Sequence, residues 1–167
     1  MQGNLEGRFK QNLNLGELIY LVVFLVDEQH YALPLATVNR IVRAVEVTPL
    51  PEAPAIVLGA INVEGRIIPV LNLRRRFLLP EREIGTADQF LIAITTLRMV
   101  ALVIDEALDV IEYKQSDIIS SDQIVPGLEQ FQGVVKLNDG LVLIHDLEKF
   151  LSLEEADMLD SALAEVE

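Results

Sequence analysis

Few side chains in this chain have the types and spacing that catalysis or metal binding requires. Its two histidines, His30 and His145, stand alone in predicted strands, with no second histidine at metal-binding spacing and no HExxH pattern. The absence of cysteine excludes disulfides, thiolate catalysis and cysteine-ligated metals. The glycine patterns of nucleotide-binding loops and the G-x-S-x-G motif of serine hydrolases are also missing. We therefore predict a protein that is not an enzyme and has no cofactor or metal, with structural roles for both histidines.

Two pairs of adjacent acids, Asp27 with Glu28 and Asp105 with Glu106, are the remaining candidates for acid–base chemistry. Such catalysis needs carboxylates that face each other in a pocket and have separated pKa values. Both pairs fall in predicted turns, where neighbouring side chains usually point to solvent. We therefore expect solvated turn residues at these positions.

Three consecutive arginines, Arg74 to Arg76, are the best argument for a nucleic-acid site, together with Arg66. Small barrels bind oligonucleotides through a basic groove and stacked aromatic side chains. Only Phe77 is close by, and alternation along a strand would place the three arginines on opposite faces. The net charge of −13 also opposes binding to nucleic acid or to an anionic membrane. We expect a solvated strand end, and a small-barrel nucleic-acid binder remains the alternative from another class.

The composition predicts a β-rich core. Apolar residues make up 51% of the chain and tryptophan is absent, so valine, isoleucine and leucine must fill the interior. The longest apolar runs, LIYLVVFLV and MVALVI, are well short of the roughly 20 residues of a membrane-spanning helix. Residues 1–17 lack the features of a secretory signal. We expect a partly disordered leader there, on a cytoplasmic protein with no direct membrane insertion.

Two β-hairpins are predicted in the first part of the chain. Residues 18–35, LIYLVVFLVDEQHYALPL, predict two strands with a polar break at Asp27 to Gln29. The stretch GAINVEGRIIPVLNLRRRF, residues 59–77, predicts two strands joined at Glu64 and Gly65, a pair suited to a tight turn.

The same order of elements then occurs a second time. Apolar positions from Tyr31 to Val42 match those from Val100 to Ile111, and residues 59–77 match GVVKLNDGLVLIHDLEKF near the end. Small β-barrels avoid exposed sheet edges by closure. We therefore predict two intertwined β-barrel halves, residues 18–87 and 88–151.

The C-terminal stretch, residues 152–167, has helical periodicity. Ser152 and Glu155 form the pattern of a capping box. Apolar residues follow at the spacing of one helix face: Leu153, Ala156, Leu159, Leu163 and Val166. We predict an amphipathic helix that packs on the barrels, with contact to a partner as the alternative.

The stretch GAINVEGRIIPVLNL resembles the hallmark of the CheW-like family of chemotaxis coupling proteins, approximately G-x-I-N-x-R-G-x-x-x-P-V-x-D-L. Further similarity lies in HYALPLATVNRIVR, in TPLPEAPAIVLG and in GVVKLNDGLVLIHDLEKFL, so the resemblance covers about residues 18–151. It implies a mainly β fold of two five-stranded, SH3-like β-barrels that share a core.

The resemblance also implies a function. CheW-like proteins are non-enzymatic adaptors that couple transmembrane chemoreceptors to a chemotaxis-type histidine kinase in bacterial chemosensory signalling. The implied partners are the regulatory domain of the kinase and the cytoplasmic hairpin tip of the receptors, which would recruit the protein to membrane receptor arrays. A coupling protein of a non-chemotactic pathway, with surface motility or second-messenger output, is the alternative within this class.

The family motifs point to partner-binding residues for the kinase or receptor. By match of position these are Val38, Arg40, Ile41, Gly59, Asn62, Glu64 and Gly65. The two glycines have an alternative role as backbone positions that need special φ values, and Val38 and Ile41 have an alternative role in the core.

Two of these positions depart from the family pattern together. The family usually has glutamate where this chain has Arg40, and arginine where it has Glu64. The reciprocal exchange suggests that the two side chains face each other across the first barrel as an ion pair of reversed polarity. Neutral drift of an exposed pair and selection for partner specificity both remain open explanations.

Overall fold

The computed structural model describes residues 17–120, 130–138 and 140–166. The predicted leader falls almost entirely outside these residues, so its disorder stays a prediction. Eleven strands in the described part form two sheets, and the one long helix lies at the C-terminal end. The predicted mainly β fold of two SH3-like barrels that share a core is confirmed.

Sheet I contains strands from both ends of the chain. Its strand order is β8-β1-β2-β11-β10-β9. The strands are β1 (Leu18–Val26), β2 (Gln29–Pro34), β8 (Glu106–Lys114), β9 (Ile119–Ser120), β10 (Phe131–Leu137) and β11 (Gly140–His145).

Sheet II contains the middle of the chain. Its strand order is β3-β6-β7-β5-β4. The strands are β3 (Val38–Arg43), β4 (Val57–Val63), β5 (Arg66–Leu71), β6 (Gln89–Ile94) and β7 (Met99–Ile104).

Corresponding hairpins occur in both predicted repeats, and each repeat exchanges its first hairpin with the other. The β1–β2 hairpin pairs with β8 and β11, whereas the equivalent β6–β7 hairpin pairs with β3 and β5. Both sheets therefore have the same plan with strands from both repeats. The ranges 18–87 and 88–151 describe the repeat in sequence, and neither range corresponds to one sheet.

The equivalence extends to irregular details. β3 has a bulge between Val38 and Arg40, and β8 has a bulge at the matching place, between Ala107 and Asp109. Arg40 and Asp109 are therefore equivalent residues in equivalent strands. The two sheets therefore have opposite charges at the same structural position, positive in sheet II and negative in sheet I.

Among the residues that the structure describes, three apolar clusters stabilise the fold. One lies inside sheet I and includes Leu21 and Val135, and another lies inside sheet II and includes Ile61 and Phe90. The third and largest lies between the sheets, where Phe24 of sheet I is fully buried with residues of sheet II. This shared core follows from alternation, because strands covered on both faces must be apolar on both.

The helix α2 (Leu153–Ala164) covers the shared core. Ser152 and Glu155 form the predicted capping box, and Leu159 and Leu163 are buried. The prediction that the helix packs on the barrels is confirmed. Leu153 and Val166 were expected on the same face but are exposed, because they lie at or beyond the ends of the helix.

The prediction that the arginine run, Arg74 to Arg76, forms a strand end is wrong. Leu73–Arg76 form one helical turn, α1, after β5. The Asn72 side chain accepts a hydrogen bond from the Arg75 backbone N–H, which caps the turn. Asp146 does the same for Glu148 in the other repeat.

None of the helices in the described residues is both long enough and apolar enough to cross a membrane.

Candidate functional site

Arg40 and Glu64 form the predicted ion pair. The Arg40 Nη1 atom lies 3.0 Å from Glu64 Oε1, and Nη2 lies 3.4 Å from Oε2, so the contact is bidentate. The side chains are 42% and 73% exposed, respectively. The pair is thus close enough to fix both side chains and open enough for a partner protein to contact.

The turn between β4 and β5 presents Glu64 to solvent. Val63 and Arg66 pair across it, and the two turn residues, Glu64 and Gly65, have φ values of +51° and +84°. Two positive φ values are typical of a type I′ hairpin turn. Asn62 Oδ1 accepts a hydrogen bond of 2.9 Å from the Gly65 backbone N–H. Asn62 and Gly65 therefore hold the conformation that places Glu64 opposite Arg40.

The charge of Glu64 is reinforced by its neighbours. The hydrogen bond from Arg40 and the attraction of its guanidinium hold the pKa of the Glu64 carboxyl below its usual range, with a smaller contribution from Arg66. The Glu64 carboxylate therefore stays ionised at physiological pH. The pair therefore places a positive and a negative group side by side on the surface of sheet II.

The remaining predicted site residues lie at other places. Val38 and Ile41 are half-buried and pack against the shared core, which favours their alternative role. Gly59 is buried on β4, where a Cβ atom would lie 2.2 Å from the Thr48 carbonyl oxygen. The structure thus brings four predicted site residues together: Arg40, Asn62, Glu64 and Gly65. Gly59 lies away from them, against the backbone of Thr48.

Replacing Gly59 with alanine should destabilise the protein by about 3 kcal/mol, because the new methyl group meets rigid backbone. Gly65→Ala is the matched comparison, since a Cβ atom there meets nothing within 4 Å. Its cost should be only about 1 kcal/mol, the strain of a positive φ. Urea unfolding measures both. Equal losses for the two variants would contradict the steric explanation for Gly59.

A network of ion pairs that no local sequence pattern indicates lies where the two sheets meet. Arg74 donates two hydrogen bonds of 2.9 Å to Asp105 and lies 3.5 Å from Asp27. Arg82 bridges Asp105 and Asp88 at distances of 2.8 to 3.0 Å. The expectation that Asp105 is a solvated turn residue is wrong, because this residue joins β7 of sheet II to β8 of sheet I.

A surface cavity of about 760 Å³ lies next to this network. Its walls include the apolar Val45 and Leu58 and the paired Arg74 and Arg82. Both guanidinium groups are already neutralised by aspartates, so the cavity does not provide a ready phosphate site. Within the described ranges no cluster of histidine and acidic residues has metal-binding geometry.

His145 is buried in an aromatic environment. Its ring lies 5.1 to 5.7 Å from the rings of Phe77, Phe131 and Phe150, in edge-on geometry. Neither ring nitrogen has a hydrogen-bond partner among the described residues. Burial, with a smaller effect of Arg76, lowers the pKa of His145 to about 3. The residue is therefore a neutral core side chain, as its structural role predicts.

A family model described as "CheW-like domain" matches residues 20–155, which is most of the chain. The chain belongs to the CheW-like family. Chemotaxis protein CheW of Treponema pallidum is 32% identical over 149 residues, which are 86% of this chain and 88% of that protein. Chemotaxis protein CheW of Bacillus subtilis is 31% identical over 141 residues, 81% of this chain and 88% of that protein.

A solved structure has the same fold. The scaffolding protein TtCheW from Thermoanaerobacter tengcongensis superposes with a TM-score of 0.74 at 26% identity, over 82% of this chain and 90% of that chain. CheW-like proteins are scaffold adaptors and not enzymes, so the prediction that this chain is not an enzyme is confirmed.

Proposed function

We propose that this CheW-like protein couples transmembrane chemoreceptors to a chemotaxis-type histidine kinase. The observation that supports this most directly is the family match over residues 20–155, together with relatives named as chemotaxis proteins. The proposed partners are the regulatory domain of the kinase and the cytoplasmic hairpin tip of the receptors. The protein would work in the cytoplasm, recruited to receptor arrays, with swimming behaviour as the output.

We further propose that the Arg40–Glu64 pair contacts one of these partners and selects it. The pair is exposed, bidentate and held by a rigid turn, so a partner meets a defined positive and a defined negative group. Charges at the rim of an interface discriminate among partners mainly because like charges repel. A protein with the opposite polarity at these positions would favour a differently charged partner surface.

The test reverses each charge singly and both together. Arg40→Glu and Glu64→Arg should each weaken binding to the cognate receptor fragment or kinase regulatory domain at least tenfold, because each places two like charges side by side. The double variant restores the pair with opposite polarity. It should bind fragments of another chemosensory system better than the wild-type protein does. Calorimetric titration at two salt concentrations provides the affinities.

Arg43→Glu is the matched control, since Arg43 lies on the same strand, is exposed, and pairs with Gln89 at the far end of β3. It should change the cognate affinity less than twofold. If the double variant binds cognate and non-cognate fragments as the wild type does, the selection proposal is wrong. If no kinase or receptor fragment from the source cell binds the wild-type protein, the coupling function itself is wrong.

The arginine run gives little support to the nucleic-acid alternative. Arg74 and Arg76 both contact carboxylates, of Asp105 and Glu155 respectively, and are largely buried. Phosphate binding would have to break these contacts. Steeply salt-dependent retention of the protein on DNA or RNA would restore that alternative.

A further inference from the structure

Leu78 has a strained backbone just after α1. Its φ value is +58°, in the left-handed region. The backbone N–H groups of Leu78 and Leu79 donate hydrogen bonds to the carbonyls of Arg75 and Arg74, respectively. This is the hydrogen-bond pattern of a Schellman motif, in which glycine is the usual residue because it adopts a positive φ without steric cost. A leucine at this position is therefore less favourable for the fold than a glycine.

Solvent exposure makes this leucine more unusual still. Leu78 is 91% exposed, so its side chain adds little to the apolar core. Five non-glycine residues in the described ranges have a positive φ, and the other four are acidic residues in turns. Neither the local conformation nor the core accounts for a leucine at position 78. Strained residues of this kind are typical of functional sites.

Arg75 of α1 adds a positive charge next to Leu78. The two residues line the same surface cavity of about 390 Å³. Arg75 is exposed and donates a hydrogen bond of 3.2 Å to the Ala55 carbonyl oxygen. Among the residues that the structure describes, no carboxylate pairs with its guanidinium, in contrast to Arg74 and Arg76. Leu78 and Arg75 together thus present an apolar group beside a positive charge that no acid neutralises.

The cavity of about 760 Å³ next to the ion-pair network has the complementary properties. Its walls include Val45 and Leu58, which are 56% and 38% exposed. Three exposed acids also line it: Glu46, Glu81 and Glu83. The two arginines of this cavity are already paired with aspartates, so they do not offset these acids. An apolar group with a positive charge therefore fits the cavity by polarity and by charge.

We propose that this protein self-associates, and that Leu78 and Arg75 of one copy enter the larger cavity of a second copy. Leu78 does not line this cavity in its own chain, and its exposure shows that no other part of the described chain covers it. A second copy supplies both the apolar walls and the carboxylates. In a symmetric pair of copies the contact is made twice. The inference goes beyond the coupling function, since it involves neither the kinase nor a receptor.

Leu78→Gly separates folding from self-association. Glycine relieves the strain of the positive φ, so the equilibrium constant for unfolding should fall about two- to fivefold. Loss of the side chain should weaken self-association of the full chain about tenfold or more. Urea unfolding measures the first effect, and sedimentation from about 10 µM to about 1 mM measures the second. The control is Leu97→Gly, which removes a 75% exposed leucine between β6 and β7 and should leave self-association within about twofold.

An exchange of charges tests the fit between the two surfaces. Arg75→Glu and Glu46→Arg each place like charges together, so each variant alone should self-associate about fivefold more weakly than the wild type. An equimolar mixture of the two should associate more strongly than either variant alone. In the mixed pair the introduced glutamate of one copy meets the introduced arginine of the other, and the second contact is unchanged. Lys114→Glu, at the exposed end of β8, is the control and should leave self-association within about twofold.

Each of the following results would overturn the proposal. A wild-type protein that sediments as a monomer up to about 1 mM does not self-associate. If Leu78→Gly associates as the wild type does, or if the mixture associates no better than its components, the copies meet elsewhere. If Leu78→Gly is less stable than the wild type, the fold itself requires the leucine. If the wild type is monomeric and Leu78→Gly weakens binding of a kinase or receptor fragment, Leu78 contacts another protein instead.

Discussion

Asp105→Ala should lower the free energy of unfolding by about 3 kcal/mol, a large loss for one side chain near the surface. The Asp105 carboxylate accepts hydrogen bonds from Arg74 and Arg82 and from the backbone N–H of Asp27. Its removal leaves the Arg74 side chain, which is only 12% exposed, with the more distant Asp27 as its remaining acidic partner. An unpaired charge in such a place costs several times more than a broken surface pair.

The loss should come from the junction of the two sheets. Asp105 separates β7 from β8, and Asp27 lies in the turn between β1 and β2, so the network joins sheet II to sheet I. Urea unfolding at pH 7 measures the effect. The control is Asp157→Ala, which removes an exposed acid on α2. This control should change the free energy of unfolding by less than about 0.5 kcal/mol. A loss below about 1 kcal/mol for Asp105→Ala would show that solvent screens the network.

Local structure could be predicted well from this sequence. The hairpin at Glu64 and Gly65 follows from turn chemistry, and the capping box of α2 follows from Ser152 and Glu155 three residues later. Both signals act within a few residues and need no information about distant parts of the chain. The repeat could also be predicted, because it preserves the order of apolar positions.

Contacts between distant residues could not be predicted in the same way. The arginine run was expected to be a solvated strand end, yet Arg74 contacts Asp105 and Arg76 contacts Glu155, 31 and 79 residues away. No local pattern shows that an acid from another element will neutralise a given arginine. The exchange of the first hairpins cannot be predicted locally for the same reason. A hairpin buries the same apolar faces whether it pairs with strands of its own repeat or with strands of the other repeat.

The Arg40–Glu64 pair is the exception, and it shows what a resemblance can add. The two residues are 24 positions apart, but their joint departure from the family pattern predicted that they face each other. A reciprocal exchange of charge is informative because an exchange of only one partner would place like charges side by side. The geometry confirms the contact, and its role in partner choice stays a prediction.

The stability of the protein should fall by about 2 kcal/mol between pH 7 and pH 5 because of His145 alone. Its pKa is about 3 in the folded protein, against 6.5 in the unfolded chain, so the unfolded state binds the extra proton in this range. A depressed pKa means that the stability is fully present above pH 6.5 and is lost as the pH falls toward 3. Acidic residues with lowered pKa values, such as Asp88, lose their contribution mainly below this window.

His145→Leu isolates this effect, because the equivalent residue of the other sheet is Leu71, which is buried in the same shared core. The variant should be at least as stable as the wild type at pH 7, since it removes two buried nitrogens that have no partner in the described structure. Its advantage should grow by about 2 kcal/mol at pH 5. Urea unfolding across this range measures the difference, and the His145 ring signal in proton NMR should not titrate above pH 5. A ring that titrates near pH 6 in the folded protein would show that the site admits the charged form, and the pH dependence would then have another source.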